Sequence, residues 1–214
     1  MGKPYSPALY NAAYYERIGR WSNSEKYLKE LDELLRKMEI TRADRLLDVG
    51  CGPGATLRHV AARYHCEAVG VDYPAEWMDL HPRLAARASA TALPFADASF
   101  SKAVLIHVIG HLPDPVGSLG EVRRVLRPGG KIGVITPNRG FVYLLRPWNL
   151  LRIIPYTPDP TVLRYFSRRS LSETVSAAGF PNPTVLYSGA HAPLPGTGSF
   201  DFLRERLTCV AEKS

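Results

Sequence analysis

From residue 24 to 38 the apolar residues Tyr27, Leu28, Leu31, Leu34, Leu35 and Met38 return every three or four positions, the spacing of one buried helix face. Ser24 stands where such a helix needs its N-cap. The pattern then changes. Residues 45–50, Arg-Leu-Leu-Asp-Val-Gly, read as a strand running into a glycine turn. Residues 56–64 read as a helix and 68–72 as a second strand. Residues 102–107 form a nearly unbroken apolar run, as in a strand covered on both faces. A helix is predicted over about 116–126, stopped by Pro128-Gly129-Gly130, with a strand over 131–136. Residues 170–178 read as a capped helix that Gly179 ends. Residues 185–188 and 207–211 are candidate last strands, and the Gly- and Pro-rich stretch 189–199 reads as an exposed loop between them.

Strands alternating with helices predict an α/β fold, a parallel sheet with helices on both faces. Such sheets bind ligands at the carboxyl ends of their strands, so chemistry is expected just after Val49, Val71, Leu105 and Ile135. There is no internal repeat. The length of 214 residues suits one domain, and 45% hydrophobic against 22% charged residues predicts a folded rather than disordered chain.

Three cysteines form no CxxC pair, which indicates neither a disulfide framework nor a zinc site, and no metal is expected. A reducing, cytoplasmic setting is the simplest expectation. The amino-terminal stretch has no apolar core of a secretory signal. The net charge of +7 is uneven: six arginines against the single acid Asp159 leave +5 between Arg139 and Arg169. That excess suits an anionic substrate, a nucleic acid or an acidic membrane surface, or is simply a solvated basic face.

The stretch 46–57, Leu-Leu-Asp-Val-Gly-Cys-Gly-Pro-Gly-Ala-Thr-Leu, is the most informative. Glycines at 50, 52 and 54 allow a sharp turn and close approach to a ligand, with the amide end of the next helix aimed at the same space. Asp72, at the tip of the next strand, can accept hydrogen bonds from both hydroxyls of a ribose. The loop also fits the G-x-G-x-x-A pattern of dinucleotide enzymes. Asp48 separates the two readings, since its charge opposes a pyrophosphate and suits a cationic ligand.

Five stretches in order, 46–57, 69–72, 92–100, 111–115 and 121–130, resemble class I S-adenosylmethionine-dependent methyltransferases, and most the small-molecule type 11 branch that includes ubiquinone-biosynthesis-like enzymes. The resemblance covers about 40–137, with a weaker echo at 166–180. It implies a Rossmann-like, doubly wound, mostly parallel seven-stranded sheet with an antiparallel last strand, and S-adenosylmethionine as cofactor. It implies an N-terminal helical cap over 1–40, a cofactor-binding core over 41–137, a lid or substrate insert over 138–170, and a C-terminal helix with the last strands over 171–214. Asp48, Gly50 and Gly52 then hold the methionine end, with Cys51 and Gly54 completing the turn. Asp72 holds the ribose, Tyr73 lies against the adenine, and Ala90 and Thr91 line its pocket. Tyr14 or Tyr15 covers the methionine part, and Ile106 and His107 close the site. Ser89 stands where the family carries an acid, so a hydroxyl or backbone group serves there. Ser101-Lys102 and Pro82 are further departures.

Transfer of an activated methyl needs chiefly alignment and exclusion of water. The expected reaction is in-line displacement onto oxygen, nitrogen or carbon of a small acceptor, hydrophobic or anionic. His107 is the candidate base, against the alternative of a histidine that only positions or packs. His111 reads as structural, and Asp97 and Asp114 as turn or cap residues. Acceptor walls are expected from 10–21 and 141–166. The apolar run 141–154, read as broken by Pro147, suits a lid, a membrane-surface helix or a dimer contact, and is too short to span a bilayer. Arg146 or Arg164 could meet a substrate carboxylate. A nicotinamide oxidoreductase lacks its Tyr-x-x-x-Lys pair here, and a nucleic-acid methylase its Asn/Asp-Pro-Pro-Tyr/Phe stretch. A cofactor-binding partner subunit without catalysis stays open.

Overall fold

The computed structural model describes residues 9–73, 85–150, 159–191 and 204–214. Asn11 caps α1 (Ala12–Ser22), its side chain accepting from the Tyr14 N–H. Ser24 does the same for α2 (Glu25–Lys37) through the Tyr27 N–H, as its position in the sequence predicts. There follow β1 (Arg45–Val49), α3 (Ala55–Tyr64), β2 (Glu67–Asp72), β3 (Ala85–Arg87), β4 (Phe100–Ile106) and α4 (Pro115–Val125). The chain continues as β5 (Leu126–Pro137), α5 (Arg139–Leu150), α6 (Arg168–Ala177), β6 (Thr184–His191) and β7 (Arg204–Glu212).

Seven strands form one sheet in the order β3-β2-β1-β4-β5-β7-β6. The pairs β3–β2, β2–β1, β1–β4 and β4–β5 are parallel, and β7 runs antiparallel to both of its neighbours. Side-chain alternation divides the core in two. Leu46, Val104 and Ile135 pack with Leu31, Leu34, Leu35 and Val60 of α2 and α3. Leu47, Val49, Leu105 and Val134 pack on the other face with Leu119 and Val122 of α4 and Leu171 and Val175 of α6. Each fully buried leucine of α2 contributes about 1.5–3 kcal/mol. Gly133 in β5 lets that helix approach, because a Cβ there would stand 2.4 Å from the Met38 sulfur.

Four expectations need correction. The short β3 escaped the pattern, since three residues are too few to show a period. β5 starts at Leu126, and Pro128-Gly129-Gly130 form an irregularity within it: Phe100 pairs Leu126, but Lys102 pairs Lys131. α5 runs through Pro147 rather than breaking there. The proline withholds one hydrogen bond from the Tyr143 carbonyl, at a residue exposed to water. β6 extends to His191, into the stretch read as loop. The remainder of that loop, Pro82 and the helix it was expected to shorten lie outside the described residues.

Candidate cofactor and acceptor site

A cavity of about 1140 Å³ opens at the carboxyl ends of β1, β2, β4 and β5, with α1 on one side and the start of α5 on the other. Of the residues nominated from the sequence, Tyr15, Gly50, Gly52, Asp72, Tyr73, Ser89, Ala90, Thr91, Ile106 and His107 line it. Asp48, Cys51 and Gly54 are not among the residues that line it.

The loop is built by backbone and carboxylate together. Gly50 and Cys51 both donate their N–H to the Val71 carbonyl, at 2.7 and 3.1 Å. Gly50 has φ +76, and a Cβ on it would lie 2.3 Å from a Val108 methyl. Packing against the β4–α4 loop therefore demands a glycine here by itself, a reason the sequence did not show. Gly54 holds a left-handed conformation as N-cap of α3. Gly52 donates its N–H to Asp72 Oδ2 at 2.8 Å, and Tyr73 donates its own to Oδ1 at 2.6 Å. Tyr15 of α1 adds a side-chain hydrogen bond. Burial nevertheless pushes the Asp72 carboxyl up to about 6.

Asp48 sits under the loop, 2% exposed. Thr56 hydrogen-bonds to its carboxylate, and the Thr56 hydroxyl meets the Tyr27 hydroxyl at 2.7 Å. Asp48 Oδ2 has no partner among the described residues. Burial, and then the neighbouring charge of Asp72, push its carboxyl up to about 7. These two neighbouring acids, both raised by desolvation, have no cationic partner among the described residues. A sulfonium with an α-amino group would supply one, whereas a pyrophosphate would add to the repulsion. The residues present thus fit S-adenosylmethionine. Cys51 is a filler: its sulfur occupies the space above Gly70, and burial raises its thiol far from reactivity.

Past the end of β3, Ser89 and Thr91 share a hydrogen bond between hydroxyls at 2.8 Å, and the Arg87 guanidinium lies over the exposed Tyr73 ring at 5.3 Å. At the end of β4, His107 adopts φ +59 and donates its N–H to the Ile135 carbonyl at 2.8 Å. Its ring meets Trp21 edge-on at 4.8 Å, and Nε2 is buried with no hydrogen-bond partner among the described residues. Burial drives the imidazole down to about 3, so it is neutral at physiological pH and a poor acceptor of protons.

The pattern along the chain did not assemble the rest of the cavity wall. His111 Nδ1 lies 2.9 Å from the Thr161 hydroxyl and 3.3 Å from the Tyr10 hydroxyl. Thr161 donates both N–H and hydroxyl to Asp159, which also pairs with Arg17 of α1 at 3.5 Å. These contacts tie α1 to the 159–164 segment across His111. Residues fifty and a hundred positions apart leave no local signal; the only hint was the Asp-Pro-Thr turn at 159–161. Arg206 of β7 also lines the cavity, buried, its guanidinium 5.6 Å from the Trp21 ring centre and paired with Glu30 and Glu205. Arg164 points elsewhere, donating to the Pro113 carbonyl from an exposed position, and the Arg146 side chain lies outside the described residues. Phe141 and Val142 bring the first turn of α5 into the wall. Among the described residues no cluster could hold a metal ion, and no helix is long and apolar enough to cross a membrane.

A doubly wound, mostly parallel sheet with a glycine loop and an acid at adjacent strand ends, both on one cavity, defines a Rossmann-like α/β fold with its site at the strands' carboxyl ends. Residues 47–134 match the family model described as a methyltransferase domain. Over that stretch the chain is similar to a methyltransferase domain. An O-methyltransferase of Aspergillus nomiae is 30% identical over 52% of this chain and 53% of its own length. The ubiquinone/menaquinone biosynthesis C-methyltransferase UbiE of Geotalea daltonii is 26% identical over 69% of this chain and 75% of its own. The chain spans about half the length of the first curated relatives it matches. A methyltransferase from Thermotoga maritima shares the fold, with TM-score 0.70 and 21% identity over 94% of this chain and 97% of that one.

Proposed function

We propose that this protein transfers a methyl group from S-adenosylmethionine to a small-molecule acceptor. Asp48, buried under the glycine loop with its Oδ2 unpartnered among the described residues, carries the reading: with Asp72 on the cavity wall it puts negative charge beneath the loop, which favours a cationic ligand above it. The cofactor supplies a methyl already activated by a positive sulfur. The chain's part is to bind, orient and exclude water.

In this reading Asp72, steadied by Gly52, Tyr73 and Tyr15, holds the ribose hydroxyls. Tyr73, Ser89, Ala90 and Thr91 form the adenine side. Asp48, Gly50 and Gly52 serve the methionine end, with Cys51 and Gly54 keeping the turn. Ile106 and His107 form the wall between cofactor and acceptor. His107, neutral and wedged against Trp21, shapes the cavity rather than taking a proton. Tyr10, Tyr14, Trp21 and Phe141 give the acceptor an apolar, aromatic surround. Three free, buried cysteines accord with a cytoplasmic setting.

The test is calorimetric titration with S-adenosylmethionine and its demethylated product, alongside an Asp72→Ala variant and NADH. Saturable binding of both sulfur nucleosides, largely lost in Asp72→Ala, is expected. Tight NADH binding with no response to either nucleoside would overturn the assignment.

A further inference from the structure

We propose that the acceptor is an amine carried on an apolar body, an inference that rests on the methyltransferase reading. The chain carries +7 overall, yet its cavity is acidic. Among the described residues that line it stand the carboxylates of Asp72, Asp114, Asp159 and Glu205 against two guanidiniums, Arg17 and Arg206. Both guanidiniums are engaged, and most of the carboxylates are too. Glu205 also pairs with Lys26, and Asp114 caps α4. That leaves Asp159, whose Oδ2 holds only a 3.5 Å contact to Arg17, as the acid with room for a further donor. Arg17 pairs with Asp159, and Arg206 with Glu30 and Glu205. His107 and His111 are held toward the neutral form by burial. No described cation of the lining is therefore left to meet an acceptor carboxylate, which argues against the anionic substrate that the basic stretch 139–169 suggested.

What remains suits a positive or strongly dipolar N–H group. The Tyr10 and Tyr14 rings meet edge-on at 5.1 Å, with Trp21 and Phe141 on the same cavity. Two of these rings already take a guanidinium within 5.6 Å of the centre, Tyr14 from Arg17 and Trp21 from Arg206. Their faces thus favour a cation. Asp159 is fixed beside them by the Thr161 N–H at 2.9 Å and hydroxyl, and Thr161 in turn touches His111. Tyr14, its hydroxyl held protonated by burial, hydrogen-bonds Thr161 as well. An ammonium is recognised by carboxylate and ring faces. Once it has lost a proton to a carboxylate or to water, its nitrogen lone pair forms the N–CH₃ bond. The S–CH₃ bonding pair stays on sulfur, and a remaining N–H proton leaves to restore neutrality.

The experiment compares three probes of one shape, 2-phenylethylamine, 2-phenylethanol and 3-phenylpropanoate, titrated calorimetrically into protein saturated with S-adenosylhomocysteine. The amine is expected to bind about ten-fold more tightly than the alcohol, the order of a ring-plus-carboxylate contact, and the carboxylate most weakly. Asp159→Asn should remove the preference and shift it toward the carboxylate by freeing Arg17. Arg17→Gln, at a half-exposed side chain, should strengthen it. Equal binding of amine and alcohol, or tighter carboxylate binding, by the unaltered protein would overturn the inference. If S-adenosylhomocysteine binds and the amine preference is missing, only the acceptor class fails. If S-adenosylhomocysteine does not bind, the methyltransferase reading fails with it.

Discussion

Replacing Asp48 by Asn removes a charge that the folded chain holds at a penalty. The carboxyl titrates at about 7 in the fold against 3.8 for a free aspartate, chiefly because it is buried. At ~1.36 kcal/mol per pH unit that difference is about 4 kcal/mol. Below pH 3.8 both folded and unfolded chains keep the proton, and the group contributes nothing. Between 3.8 and 7 the unfolded chain gives it up while the folded chain holds it, so stability falls as the pH rises; above 7 the deficit is constant. Asn copies the shape of the protonated acid and should lift the deficit. Relaxation around the buried charge reduces the net gain to about 2 kcal/mol at pH 8, with almost none near pH 4. Urea denaturation at the two pH values measures it. The same variant should bind S-adenosylmethionine at least about thirty-fold more weakly, as expected when one partner of a buried charge pair is removed. Titrations near pH 6.5 in buffers of different ionisation enthalpy should show markedly more proton released on binding by the unaltered protein than by the variant. A pH-independent stability difference, a less stable variant, or undiminished affinity would refute the placement of a strained, cation-seeking acid under the loop.

Other expectations follow from the same geometry. Gly50→Ala places a Cβ 2.3 Å from Val108 at φ +76, and should cost about 2–4 kcal/mol in chemical denaturation. Adding Val108→Ala should recover part of the loss, and full retention of stability by the single variant would contradict the packing argument. His107, depressed to about 3, stays neutral across the range where enzymes are assayed. Turnover by the unaltered protein and by His107→Asn should therefore share the same pH profile between 6 and 8. An inflection near 6.5 that vanishes in the variant would restore it as the base. The depressed value also means that stability is lost as the pH falls from 6.5 toward 3, because the unfolded chain takes the proton first. His107→Asn should lose less over that interval in a thermal melt.

Helices and buried strands were legible where burial imposes a period. The 3.6-residue return of Leu31, Leu34 and Leu35 and the apolar run of β4 are one-dimensional records of which faces meet the core. The glycine loop and Asp72 were legible because they lie at adjacent strand ends, so order along the chain nearly equals order in space. β3 and the passage of α5 through Pro147 were not, since a three-residue strand and a tolerated proline depend on neighbours the pattern does not encode.

The sequence by itself determined the alternating sheet, the cavity at the strands' carboxyl ends, and the glycine loop and Asp72 at its edge. Only the tertiary structure decided that Gly50 answers to Val108, that the His107 ring packs edge-on against Trp21, and that Arg206 rather than Arg164 enters the cavity. It also joined Tyr10, His111, Asp159 and Thr161 into one wall. The physical reason is range: local periodicity records what each residue buries, while charge, proton affinity and shape in a cavity depend on groups far apart along the chain that folding brings within a few ångströms.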